Sequence, residues 1–137
     1  MKPFSLRVLA ADRPVFEGEC VSLVIPVEDG QYGILAHHSD FVSAIVPGEL
    51  DLTVEKDGGR ERIRVAVSDG MVRVSANSVV VLVDSAERED EIDEELALHD
   101  METAKEDLSH DRSRIEYAAA QARLARAMNR LKVVRHK

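Results

Sequence analysis

The chain has 137 residues, 45% of them hydrophobic, and a formal net charge of −8. That length allows one ordinary domain or a small domain with an appendage, and that apolar content excludes wholesale disorder. The acidic balance argues against nucleic acid as a partner, and a lone cysteine excludes an internal disulfide or a cysteine-based zinc site. With no tryptophan and few aromatic residues, the core has to be built from Val, Leu, Ile and Ala. The opening "MKPFSLRVLAADRP" has no apolar run suited to a signal peptide. No stretch approaches the roughly 20 apolar residues that span a bilayer. Direct membrane insertion is not expected, and any membrane association has to run through a partner.

The first 85 residues read in period two. "FSLRVLA" and "PVFEGE" open as short strands, followed by "CVSLVIPV" at 20–27. "GQYGILAHHSDF" at 30–41 reads as a glycine-shaped loop. "ELDLTVEK" (49–56), "RIRVAVSD" (62–69), "MVRVSA" (71–76) and "SVVVLVDS" (78–85) are β-branched and largely alternating. Asp57-Gly58-Gly59, Asp69-Gly70 and Ala76-Asn77-Ser78 supply the turns between them. Many short strands in sequential antiparallel order predict a β-sandwich or flattened barrel over residues 1–86. Cys20 is expected to be a small core filler.

Past Ser85 glycine and proline vanish, and Ala, Leu, Glu and Arg take over. Asp90 can cap a first helix with an acidic opening turn, as the helix dipole prefers. Its apolar stripe is Ala97, Met101, Ala104 and Leu108, with Ile92 and Leu96 beside it. Ser113 and Glu116 have the spacing of a capping box for a second helix. Its expected inward side is Ala118, Ala122, Ala125, Met128 and Leu131, flanked by Ile115 and Leu124. From Glu87 to Asp107 eleven acids face two bases, and from Arg112 to Lys137 eight bases face one acid. A short linker makes the helices antiparallel, so residues 87–137 are predicted to form a helical hairpin whose halves attract. Each surface pair contributes below about 1 kcal/mol, so the hairpin should open at modest cost.

These segments together resemble a known family. "FSLRVLAADRPVFEGE", "GQYGILAHHSDFVSAIVPGEL", "VAVSDGMVRVSANSVVVLVDSAERED" and the terminal "LARAMNRLKVV" are similar to the epsilon subunit of the bacterial F-type ATP synthase, over essentially the whole length. The resemblance implies a β-sandwich followed by a C-terminal helical hairpin, the fold the periodicities already suggest. It implies a non-catalytic central-stalk rotor subunit, with no catalytic residues and no required cofactor. The sandwich would grip the gamma subunit and rest on the c-ring, and the hairpin would extend toward the alpha and beta subunits to block ATP hydrolysis. The expected location is peripheral, on the cytoplasmic face of a bacterial plasma membrane.

The resemblance also implies residue roles. Gln31, Tyr32 and His38 fall where the family meets the c-ring. Ala36-His37 and Asp40 stand where the family has Pro-Gly and a second proline, which predicts a softer, more polar loop. Some members bind a regulatory ATP through an Ile/Leu-Asp-x-x-Arg-Ala pattern, an upstream glutamate and second-helix arginines. Glu87, Ile92, Asp93, Ala97, Arg126 and Arg130 occupy those places here, but Leu96 replaces the motif arginine and Thr103 a further one. Two readings of this set stand: ATP ligands, or hairpin packing with arginines paired to first-helix acids.

Other chemistry is poorly supported. Adjacent residues such as those in "HHSD" rarely supply the geometry of a catalytic triad, since neighbouring side chains diverge. A metal on His37 or His38 would need ligands such as His99, His110 or His136. The acidic run 87–95 lacks the spacing and glycine of a calcium loop. His38 could equally be satisfied by loop backbone. The alternative to the family reading is a stand-alone β-sandwich binding module with a helical arm in another assembly.

Overall fold

A computed structural model of the chain describes residues 2–110 and 113–135. Strands β1 (Phe4–Ala10), β2 (Pro14–Cys20), β3 (Ser22–Val27), β4 (Gly30–Ile34) and β5 (Phe41–Ile45) come first. They are followed by β6 (Gly48–Lys56), β7 (Gly59–Val67), β8 (Gly70–Ser75), β9 (Ser78–Val83) and β10 (Ala86–Arg88). A 3-10 turn at Glu89–Glu91 leads to helices α1 (Glu94–Leu108) and α2 (Arg114–Arg135). The chain divides into two compact units, Met1–Glu89 and Asp90–Lys137.

In the first unit two five-stranded sheets are ordered β2-β1-β9-β8-β5 and β10-β7-β6-β3-β4. Pairing is antiparallel except between β1 and β9, which run parallel with Leu6 opposite Val79. The expectation of purely sequential antiparallel order fails there. β1 turns outward into β2, which leaves its other edge free for β9, delivered by the hairpin from β8 in the same sheet and running in the direction of β1. Three strands escaped the sequence reading. β4 is an edge strand exposed at all but Ile34, so it carries no apolar alternation, and β5 starts at Phe41. The loop expected over 30–41 shrinks to residues 35–40. β10 is three residues long with only Ala86 buried.

The core fills the space between the sheets. Leu6, Val8, Val72 and Val81 on one side meet Leu23, Ile25, Leu50, Leu52 and Val65 on the other, all fully buried. Each such side chain contributes about 1.5–3 kcal/mol through burial. Cys20 lies in this cluster, its thiol donating to the Ser22 and Thr53 carbonyls at 2.8 and 3.2 Å. Burial pushes that thiol's pKa up. The hairpins form where turn residues predict them. Asp57 and Gly58 both have positive φ between β6 and β7, and Ala76 and Asn77 do the same between β8 and β9.

The second unit is an antiparallel helical hairpin. Asp107–Arg123, Asp100–Arg130 and Glu94–Arg135 link successive levels of the two helices at 2.7, 3.9 and 2.9 Å. Thus the predicted charge attraction is realised as ion pairs. Asp93, rather than Asp90, caps α1, its Oδ1 accepting the Leu96 N–H at 3.1 Å. The 3-10 turn consumes Glu89–Glu91 and delays the helix start. Ser113 Oγ accepts the Glu116 N–H at 3.2 Å, as the capping box predicts.

The inward face of α2 differs from expectation. Ala120, Ala127, Leu131 and Val133 are buried and Leu124 is half-buried, while Ala118, Ala122, Ala125 and Met128 are exposed. Alanines surround this helix, so two stripes have helical spacing. The stripe that packs is the one flanked by Arg123 and Arg130, which places both cations against acids of α1.

Candidate functional site

Loop 35–40 joins the two edge strands β4 and β5, one from each sheet. Tyr32 on β4, His38 in the loop and Phe41 at the start of β5 form an aromatic cluster. Ring centroids are 5.6 Å apart for Tyr32–His38, 5.2 Å for Tyr32–Phe41 and 4.9 Å for His38–Phe41. His38 Nδ1 donates to the Ser39 carbonyl at 2.7 Å, so Nε2 is the acceptor of the Tyr32 hydroxyl at 2.6 Å. Of the three residues expected to form a contact surface, Tyr32 and His38 therefore touch. Gln31 is the exposed neighbour of Tyr32 on β4, opposite Pro26. Beside Tyr32 and Phe41 runs a groove of 390 Å³, lined by Val27, Glu28, Asp29, Val42 and neighbours.

In this geometry His38 and Asp40 do not partner each other. Both ring nitrogens of His38 are engaged, by Tyr32 and by the Ser39 backbone. Asp40 turns away and accepts the Ala76 N–H at 3.3 Å. Among the described residues no three His, Cys, Asp or Glu side chains gather to hold a metal ion. His99 and His110 are exposed on or just after α1, and His136 lies outside the described residues.

A second surface was missed by the sequence reading. The outward positions of the β2-β1-β9-β8-β5 sheet, read from the strand registers, put Leu9, Leu82, Met71 and Ala44 in one row. Val42 and Val80 lie in the next row with Arg73 between them. Val42 is 62% exposed, Leu82 45% and Met71 41%. One row of a face normally given to polar residues is apolar across four strands, and the next sets Val42 and Val80 among Arg73 and Arg7, which marks an interaction surface. The signal was present in "SVVVLVDS", where both alternating faces are apolar.

The residues of the ATP pattern divide between the units. Glu87 sits on β10 opposite Ala66 in the first. In the second, Ala97 is buried, Ile92 half-buried, and the Asp93 carboxylate is occupied as the helix cap. Arg126 is exposed one turn before Arg130, which faces Asp100. Leu96 is 55% exposed and offers no charge.

Fold and surface together define a class: a β-sandwich with an apolar outer sheet, carrying a charge-paired helical hairpin, built to dock. Comparison with known proteins makes this specific. Residues 3–89 match the model for the beta-sandwich domain of the ATP synthase delta/epsilon chain, and residues 90–135 match that for its long alpha-helix domain. The ATP synthase epsilon chain of Ruminococcus albus is 38% identical over 138 residues, covering 100% of both chains. That of Thioalkalivibrio sulfidiphilus is 34% identical over 131 residues, 96% of this chain and 92% of the relative. Two solved structures share the fold. A chain of the Euglena gracilis mitochondrial ATP synthase OSCP/F1/c-ring structure superposes with TM-score 0.78 at 22% identity, covering 93% of this chain and 78% of that one. A chain of the Tetrahymena thermophila mitochondrial central stalk and c-ring gives 0.61 at 14% identity, covering 95% of each. The chain belongs to the ATP synthase delta/epsilon family, as an epsilon-type subunit of the F-type enzyme.

Proposed function

We propose that this chain is a non-catalytic rotor subunit that couples gamma to the c-ring and restrains ATP hydrolysis through its hairpin. The observation that carries the reading is the apolar row Leu9–Leu82–Met71–Ala44 on an outer sheet face, a composition suited to the core of a protein interface. We assign that face to gamma. The cluster of Tyr32 and His38, with Gln31 beside it, is assigned to the polar loops of the c-ring. Contact with alpha and beta belongs to an opened hairpin, in which the arginines of α2 trade acids of α1 for acidic surface elsewhere. No helix among the described residues is long and apolar enough to cross a membrane. Attachment at the cytoplasmic face of a bacterial membrane then runs through these partners.

The test is binding to an epsilon-depleted ATP synthase. Met71→Glu and Leu82→Glu add charge at exposed positions and should leave folding within about 0.5 kcal/mol of wild type. Both should lose binding by at least about tenfold if the row is the gamma face. Unchanged binding by both variants would remove that assignment and favour a binding module of another assembly.

For the hairpin we favour ion pairing over nucleotide. Arg130 has Asp100 as a partner, Asp93 is spent as a cap, and the places of two expected cations hold Leu96 and Thr103. Each missing charge-assisted bond would weaken a triphosphate site by about 1.5–3 kcal/mol. ATP at Glu87, Ile92, Asp93, Ala97, Arg126 and Arg130 is the competing proposal, and ATP could hold the hairpin closed only through preferential affinity for that state. NMR titration separates the two. Flat shifts at Arg126, Arg130 and Asp93 in millimolar ATP are expected, and saturable shifts would restore the ATP site.

A further inference from the structure

Asn77 occupies the second position of the β8–β9 turn, at φ 59 after Ala76 at φ 51. Its side chain reaches two other segments at once. Oδ1 accepts the His37 backbone N–H at 2.7 Å, and Nδ2 donates to the Pro3 carbonyl at 3.2 Å. One amide orientation satisfies both partners and the flipped one satisfies neither, so oxygen and nitrogen are assigned by the network. The Asn77 carbonyl also accepts the Ser5 N–H at 3.2 Å. From the opposite side, Asp40 Oδ1 accepts the Ala76 N–H at 3.3 Å. Loop 35–40 is thereby tied to the β8–β9 turn at His37 and again at Asp40, and the turn is tied to the start of β1.

The ties explain a backbone that the loop sequence alone does not. His37 has φ 62, a left-handed conformation that a non-glycine residue holds only where its surroundings impose it. The loop's own backbone bond, from the His38 N–H to the Leu35 carbonyl, is long at 3.3 Å. The bond to Asn77 grips the residue immediately before His38. It therefore sets the direction from which the His38 ring enters between Tyr32 and Phe41. The absence of stiffening prolines at Ala36 and Asp40 is offset by clasps from another part of the chain.

We propose that Asn77 is the positioning residue of the docking loop, holding His37 so that His38 is presented in one orientation to the c-ring. This rests on the reading of His38 as a c-ring contact. A merely turn-forming asparagine would need its tolerance of positive φ and nothing more, and two variants separate the roles. Asn77→Gly keeps the turn and removes both side-chain bonds. Asn77→Asp keeps the acceptor for His37 and loses the donor to Pro3; moderate salt screens its repulsion from Asp40.

Amide exchange on the full chain reads the clasp. Asn77→Gly should speed exchange at His37 by about fivefold or more, the loss of one hydrogen bond, while Asn77→Asp stays within about twofold of wild type. Equal exchange in wild type and Asn77→Gly overturns the proposal. Affinity for epsilon-depleted ATP synthase bearing its c-ring reads the function. Asn77→Gly should weaken binding several-fold, Asn77→Asp should restore most of it, and Asn77→Gly with His38→Ala should be no weaker than His38→Ala alone. Additive losses overturn the positioning route. If His38→Ala binds normally while His37 exchange still responds to Asn77→Gly, the c-ring reading has failed and takes the proposal with it, although the clasp stands.

Discussion

Arg64 and Glu49 form a buried ion pair across β7 and β6, and its removal should be costly. Their side chains are 13% and 7% exposed, with Nε and Oε1 3.2 Å apart. The N–H is not aimed at the oxygen, and among the described residues neither atom has a hydrogen-bond partner, so attraction of charge is what holds the pair. Glu89, just past β10, offers Arg64 a second carboxylate at 3.8 Å. Arg64→Met keeps the length and apolar stem of the side chain but strands the Glu49 carboxylate. Breaking a fully buried pair costs about 3–5 kcal/mol. Glu49 keeps a sliver of solvent access, so the desolvation penalty is incomplete and the expected loss is about 2–3 kcal/mol. For a domain of this size that lowers the melting temperature by about 10–20 °C. Glu49→Leu combined with Arg64→Met should return stability to within about 1 kcal/mol of wild type, because no charge is left to desolvate. Urea denaturation of wild type, both single variants and the double variant gives the coupling energy directly. A loss below about 0.5 kcal/mol for Arg64→Met, or a double variant no better than the single, would mean that the pair carries no buried charge coupling.

Other substitutions probe the close contacts and the hairpin register. A Cβ on Gly70 would lie 2.0 Å from the Leu82 carbonyl oxygen and 2.7 Å from Val83 Cα, both backbone of the paired strand. Gly70→Ala should therefore cost about 3 kcal/mol or more, whereas Gly33→Ala, with nothing within 4 Å, should melt near wild type. On α2, Ala127→Leu should destabilise the hairpin by about 1–3 kcal/mol and Ala125→Leu by less than about 0.5, read by helix exchange protection. The reverse order would reinstate the stripe expected from sequence. The raised thiol pKa of Cys20 has a pH signature. Once pH passes the ordinary thiol range, the unfolded chain loses its proton first, so stability should fall there. Denaturation midpoints across alkaline pH check this, and a Cys20→Ala variant with the same slope would assign it elsewhere.

Much of the fold was legible because it rests on local periodicity. The β-branched alternation of "ELDLTVEK" and "RIRVAV", with Asp57-Gly58 between them, specifies β6, β7 and their turn, and the structure has them in that register. What escaped did so for physical reasons. The burial of β4 is confined to Ile34, so no pattern distinguishes it from a loop. The parallel β1–β9 pair joins segments that no local signal relates. The buried side of α2 was ambiguous because alanine packs on either stripe, and the choice is made by Arg123 and Arg130 reaching Asp107 and Asp100. The site was legible in part. The proximity of Tyr32 and His38 lies within one short segment, but Asn77 bonds His37 across 40 residues of sequence. Nothing in the spelling of "SANS" announces that a turn residue holds a distant loop.

Docking by the sandwich and inhibition by the hairpin can be separated by the ATP hydrolysis rate of an epsilon-depleted F-type ATPase after adding either the full chain or a variant truncated after Glu89. Truncation at that point keeps β10 and its pairing with β7 intact. Both proteins should bind, the full chain should slow hydrolysis, and the truncated variant should slow it far less. Equal inhibition by the two, or a full chain that binds and leaves hydrolysis unchanged, would contradict inhibition by the hairpin.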